Sequence, residues 1–191
     1  MTGTSFEYMK QACINREKSF WRAHRGFALI ESFIAIAILV SAITAVMTVS
    51  AKSIELVGIA RNNITAFYLA QEPIELIHNI RDENRLAGRN ASAWLFGLGV
   101  CNPGPCILDA TNRAAVSCGV GPCVPVRRES GTGGRYGYDG AWDLTPFTRT
   151  VEIDEFAPGR EAKVTVRMTW QERTGLKTLT IENTALAWAF P

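Results

Sequence analysis

Histidine is nearly missing from this chain, with two in 191 residues, His24 and His78. Imidazole is the usual proton-transfer group at neutral pH and the commonest metal ligand, so its scarcity argues against histidine-based catalysis and histidine metal centres. His78 sits among apolar residues of a helical stretch, where a lone histidine reads as structural or solvated. No phosphate-binding loop is present: "GTGG" at 131–134 lacks the Gly-Lys-Ser/Thr ending and follows no clear strand. No catalytic residue, cofactor or metal is assigned, and the chain is read as a non-enzyme. Excess charge is lacking too. A formal net of +2 gives no basic field that would make nucleic acid the default partner. Finally, one long apolar run has no successor, so nothing after about residue 50 could cross a membrane a second time.

What is present is a folding composition, 47% hydrophobic and 20% charged, with its positive charge collected at one end. Residues 1–26 hold Lys10, Arg16, Lys18, Arg22 and Arg25 against Glu7 and Glu17, a local net of +3, which leaves the rest near −1. The apolar run follows directly. Phe27 to Met47 is 21 residues, about 31 Å as a helix, close to the hydrocarbon thickness of a bilayer. A soluble core helix of that length would show a polar face, whereas this one interrupts its apolar residues only with Glu31, Ser32, Ser41 and Thr44. The run is read as a single membrane span. The preceding basic cluster places the N-terminus in the cytoplasm and the rest of the chain outside.

Glu31 is the anomaly. A carboxylate at the centre of a membrane helix costs about 2.5–3.5 kcal/mol, and somewhat less one turn from the end, and the run contains no cation to offset it. Cutting the chain just before Phe27 would create one, because the new α-amine lies four residues from Glu31 on the same helix face. At about 4 Å and an effective dielectric near 20, such a pair gains about 4 kcal/mol, comparable to the insertion cost. An amine from a neighbouring subunit would serve equally well.

The stretch "RGFALIE", Arg25 to Glu31, resembles the processing site of type IV prepilins and type II secretion pseudopilins: a basic leader, Gly, Phe, a small hydroxyl residue, two aliphatics and Glu. Gly26, Phe27, Leu29, Ile30 and Glu31 match; Ala28 stands where the pattern has Ser or Thr. The resemblance implies cleavage between Gly26 and Phe27 by a membrane prepilin peptidase and N-methylation of Phe27. It also implies assembly in which Glu31 pairs with the Phe27 amine of an adjacent subunit. The implied partners are therefore that peptidase, other pilin or pseudopilin subunits, an inner-membrane assembly platform and the lipid bilayer. Two other readings stay open at the N-terminus. One is a secretory signal cut before Lys52, after the small residues Val49 and Ala51; the other is an uncleaved anchor.

Beyond the span a helical period persists in Val57, Ala60, Ile64, Phe67, Ala70, Ile74, Ile77 and Ile80. The spacing predicts one helix from about Phe27 to Ala87, ending at Gly88, with a kink or local break near Asn62 to Pro73. "YLAQEPIELIHNIRDENR" also resembles the stretch after the membrane span in minor pilin-like proteins, where Gly is expected at the Pro73 position. Residues 90–146 are rich in breakers and read as loops and turns. "FTRTVEID", "KVTVRMTW" and "LKTLTIEN" alternate with period two, and "ERTG" links the last pair as an antiparallel hairpin. The tail "ALAWAFP" is a candidate edge strand.

Cys13 falls in the leader. Cys101, Cys106, Cys118 and Cys123 form two C-x4-C pairs outside the membrane, where disulfides persist. Local pairing, 101 with 106 and 118 with 123, is favoured over crossed pairings because each pair encloses a Gly-Pro turn; a four-thiolate zinc site is the alternative, although zinc knuckles use tighter spacing. Arg127, Arg128, Arg135, Tyr136 and Tyr138 could bind single-stranded DNA by charge and stacking, but Glu129 and Asp139 decorate the same glycine-rich loop, and nucleic acid is disfavoured as a partner.

The predicted organisation is α+β and pilin-like, a long N-terminal helix packed on a small antiparallel β-sheet. It comprises a basic leader (1–26), a transmembrane helix (27–50), an amphipathic continuation (51–88), a four-cysteine loop region (89–146) and the sheet (147–191). The expected role is a structural subunit, a minor pilin or pseudopilin, held in the cytoplasmic membrane and then in an extracytoplasmic filament. A membrane-anchored or secreted binding module, with DNA uptake as one use, is the alternative.

Overall fold

The computed structural model describes residues 25–131 and 133–187. Most of the expected leader, with Cys13, and the last four residues of the tail lie outside them, and for residues 25–27 only the backbone is described. The chain divides into two compact units, Met1–Val57 and Gly58–Pro191. The class is α+β: the described residues form one α-helix, α1 (Arg25–Leu86), two short 3-10 turns and seven antiparallel strands in one sheet.

The described residues of the first unit are apolar helix. The second is built around β5 (Asp143–Ala157), β6 (Glu161–Glu172) and β7 (Gly175–Leu186). β5 and β6 pair from Phe147 opposite Trp170 to Asp154 opposite Lys163. The β6–β7 ladder runs unbroken from Glu161 opposite Leu186 to Glu172 opposite Gly175. The predicted hairpin at "ERTG" is present, closed by Gly175 at φ +124°, a conformation that excludes most side chains. Alternation works as the sequence indicates: Phe147, Arg149, Val151 and Ile153 of β5 and Val164, Val166, Met168 and Trp170 of β6 are all buried on one face.

The region expected to be only loops carries four short strands. These are β1 (Cys106–Asp109), β2 (Ala114–Ser117), β3 (Pro125–Arg128) and β4 (Tyr136–Gly137). β3 and β1 pair with the edge of β5 opposite β6, and each carries a further strand, β4 and β2 respectively. At four residues or fewer such segments cannot display a period; pairing with β5 defines them.

Within this unit, α1 buries Ala66, Leu69, Ala70, Pro73, Leu76 and Ile77 in the same core as the sheet. The buried stripe matches the one the spacing selected only in part. Ala70 and Ile77 are buried and Ile74 and Ile80 pack against the core, but Ile64 and Phe67 are exposed, at 58% and 45%. Two apolar stripes run along this stretch, and Ala66 and Ala70, one turn apart and without bulk, permit a closer approach to the sheet than Ile64 and Phe67 would. A local break near Asn62 to Pro73 is not seen: α1 is helical throughout that stretch. Proline at 73 lacks the N–H that would bond the Leu69 carbonyl, and that carbonyl instead accepts a hydrogen bond from Arg149 Nη1 at 2.9 Å.

Candidate functional site

In the first unit the described helix includes Arg25, and the backbones of Gly26, Phe27 and Glu31 all lie within it, with 27 and 31 one turn apart. Among the described residues one helix, near the N-terminus, is long and apolar enough to cross a membrane, and none of its most apolar window is buried. Leu29, Ile30, Phe33, Ile36, Ile38, Leu39 and Met47 are 58–72% exposed. The hydroxyls that interrupt this surface bond to the helix's own carbonyls: Ser32 to Ala28, Ser41 to Ile38, Thr44 to Ser41, Thr48 to Ala45 and Ser50 to Val46. Each donor is thereby satisfied without water, as a hydrocarbon environment requires. Glu31 differs. Among the described residues it has no hydrogen-bond or ion-pair partner and is exposed, the one charged side chain in an otherwise self-satisfied apolar surface.

The second unit contains a charged centre that sequence reasoning did not single out. Arg149 is completely buried. Its guanidinium donates to the carbonyls of Leu69 (2.9 Å) and Leu108 (2.8 Å), ion-pairs with Glu72, and donates Nε to the Tyr138 hydroxyl at 3.3 Å. One side chain thus ties α1, β1 and the segment before β5 together. Burial opposes its charge, but Tyr138 and Glu72 outweigh that and keep its pKa above the ordinary arginine value. The signal was present in the sequence: Arg149 lies in phase with Phe147, Val151 and Ile153, and a charge on a buried strand face demands partners.

Tyr138 is itself half-buried, and its desolvation pushes the phenol above the usual range, with Arg149 partly offsetting the effect. A group whose pKa is raised by folding contributes stability that is present below its unfolded value and lost as pH rises through the folded one. Alkaline destabilisation therefore includes a Tyr138 component beginning near pH 10. In a spectrophotometric titration one tyrosine is expected to ionise late, and Tyr138→Phe removes that step; a Tyr138→Phe protein with an unchanged late step would show another tyrosine to be responsible.

The local disulfides are formed, Cys101–Cys106 and Cys118–Cys123, with Cα separations of 5.0 and 4.9 Å. They consume all four thiols proposed for the zinc alternative, and no cluster of metal-ligating residues occurs among the described residues. The basic and aromatic side chains weighed for DNA serve within the fold. Arg135 makes a bidentate pair with Glu129 at 2.8 Å, which raises the arginine's pKa and lowers the carboxylate's. Arg127 donates to the carbonyls of Gly140 and Trp142, and Tyr138 packs against Arg149. Arg128 is exposed, and its side chain makes no hydrogen bond or ion pair among the described residues. His78 Nε2 lies 3.1 Å from Asn183 Oδ1 of β7, the structural employment expected of a lone helical histidine.

No family model matches the chain, and neither a curated protein nor a solved structure does.

Proposed function

We propose that the protein is a structural subunit of a type IV pilus-like filament, a minor pilin or pseudopilin, that works by assembly rather than catalysis. In this reading the chain is inserted with its N-terminus in the cytoplasm, is cut between Gly26 and Phe27 by a prepilin peptidase and methylated on Phe27, and is then extracted from the bilayer by an assembly platform. In the filament the helices bundle along the axis and Glu31 pairs with the Phe27 amine of a neighbour.

The observation that carries the reading is the helix's N-terminal surface. A bilayer-length apolar face has its hydroxyls internally satisfied and keeps one unpartnered carboxylate, placed one turn after the Gly26–Phe27 bond. The outer unit suits exposure, since two disulfides staple its loops.

Mass spectrometry of the N-terminal peptide from protein recovered from the cell envelope tests this directly. N-methylated Phe27 is the expected terminus. A terminus at Lys52 would identify a signal-peptidase substrate, and an intact leader an uncleaved anchor; either overturns the proposal.

A further inference from the structure

The last strand ends the sheet. β7 is 12 residues long, pairs only with β6 among the described residues, and its register has no bulge. It contains no proline, and its one lysine, Lys177, lies near its start. Native edges are usually shortened, bulged, prolinated or covered because an open row of N–H and C=O groups templates further pairing. Here little of that protection is present.

The polarity of the edge can be read from two bonds. Ala187 N donates to Arg160 O at 2.7 Å across the β6–β7 ladder, so the odd-numbered residues of β7 direct their backbone groups at β6 and the even-numbered ones point to the open side. Consistently, Leu186 O is taken by Arg81 Nη1, which reaches it from outside that ladder at 3.4 Å. The groups left open are those of Leu176, Thr178, Thr180, Glu182 and Thr184. On the core face of the same strand Leu179 and Ile181 are only half-buried, whereas their partners on β6, Met168 and Val166, are fully buried.

The geometry points to a second copy of this chain as the occupant, its β7 antiparallel to the first across a two-fold axis through Thr180. In that register the open groups of 176, 178 and 180 meet those of 184, 182 and 180 of the other copy, satisfying both rows. On the core face each Leu179 stands opposite the other copy's Ile181, in the closer, non-hydrogen-bonded kind of pair, so the two half-covered apolar edges merge into one cluster. Lys177 faces Asn183, and Thr178 faces Glu182. Neighbouring registers fit worse. Centring on 179 sets Lys177 against Ile181, centring on 181 sets Leu179 against Asn183, and centring on 182 brings two Glu182 carboxylates together. The strand is thus complementary to itself, as an isologous interface requires.

The test is a single-cysteine scan of the exposed outer positions Thr178, Thr180 and Glu182 in the full-length protein, in membranes and in detergent, under mild oxidation, with the wild-type chain as control for its own thiols. Residue 180 would face its own copy at about 5.5 Å between Cα atoms, inside the disulfide range, whereas two residues 178 would lie about 13 Å apart. Thr180→Cys is expected to give disulfide-linked homodimer at about tenfold the level of Thr178→Cys or Glu182→Cys. A flat pattern, a maximum at 178 or 182, or a 180 adduct with a different protein in place of the homodimer would overturn the proposal. Thr180→Pro provides a second readout, because the N–H it removes points away from β6. It should abolish the dimer by light scattering while the melting transition stays close to that of the wild type; a retained dimer would overturn the pairing.

Discussion

Replacing Arg149 with alanine is expected to destabilise the outer unit by about 3–5 kcal/mol, a large share of the roughly 5–15 kcal/mol that holds a domain folded. The loss comes from what is left behind. Without the guanidinium, the Leu69 and Leu108 carbonyls lose their donors and Glu72 its cation. The Leu69 carbonyl cannot recover a helical bond because Pro73 has no N–H to offer. Arg149→Lys should rescue little, since a single ammonium cannot reach diverging acceptors on α1 and β1 that a planar five-donor group spans. The cycle with Glu72→Gln checks the mechanism: in the Arg149→Ala background, Glu72→Gln should cost much less than it does alone. Chemical denaturation of the full-length protein in detergent, followed by tryptophan fluorescence, measures this; Trp94 and Trp170 both lie in the affected core. Additive effects of the two substitutions would show that they do not act as a pair.

Glu31→Gln is expected to abolish incorporation into filaments while leaving the Gly26–Phe27 cleavage largely intact. The substitution keeps size and helix propensity but removes the charge that, in the proposed assembly, pairs with the Phe27 amine. Glu31 is exposed and outside the core, so the fold of the outer unit should be unaffected, and its melting transition serves as the control. The fraction of processed protein in sheared surface filaments, against that left in the membrane, gives the readout. A drop of about two orders of magnitude corresponds to losing an interaction of about 3 kcal/mol. Wild-type incorporation of the Gln variant would remove the ion pair from the assembly mechanism.

The two centres differ in how legible they were. Gly26, Phe27 and Glu31 sit in a seven-residue stretch that is odd on its own terms, a carboxylate in a bilayer-length apolar run, and local chemistry suffices to notice it. The cysteine pairs were equally local, five positions apart around a Gly-Pro turn. Arg149 was visible only as a misfit, a charge in phase with buried residues. Its partners lie 77 and 80 positions away on α1 and 41 away on β1, and no periodicity can name them. Pro73 misled for the same reason. Its cost to a helix is a local fact, whereas its tolerance depends on a donor brought from the sheet.

The amino-acid order alone determined the apolar span, the alternating β5–β7 meander and the isolation of Glu31, because each rests on neighbours within a few positions along one helix turn or strand. Tertiary structure decided which of two apolar stripes on α1 is buried, gave the breaker-rich stretch its four short strands, and left one edge of β7 unpaired. Those outcomes depend on which surfaces can approach closely and on which backbone groups find partners. Both are properties of distant segments brought together, and no single segment carries them.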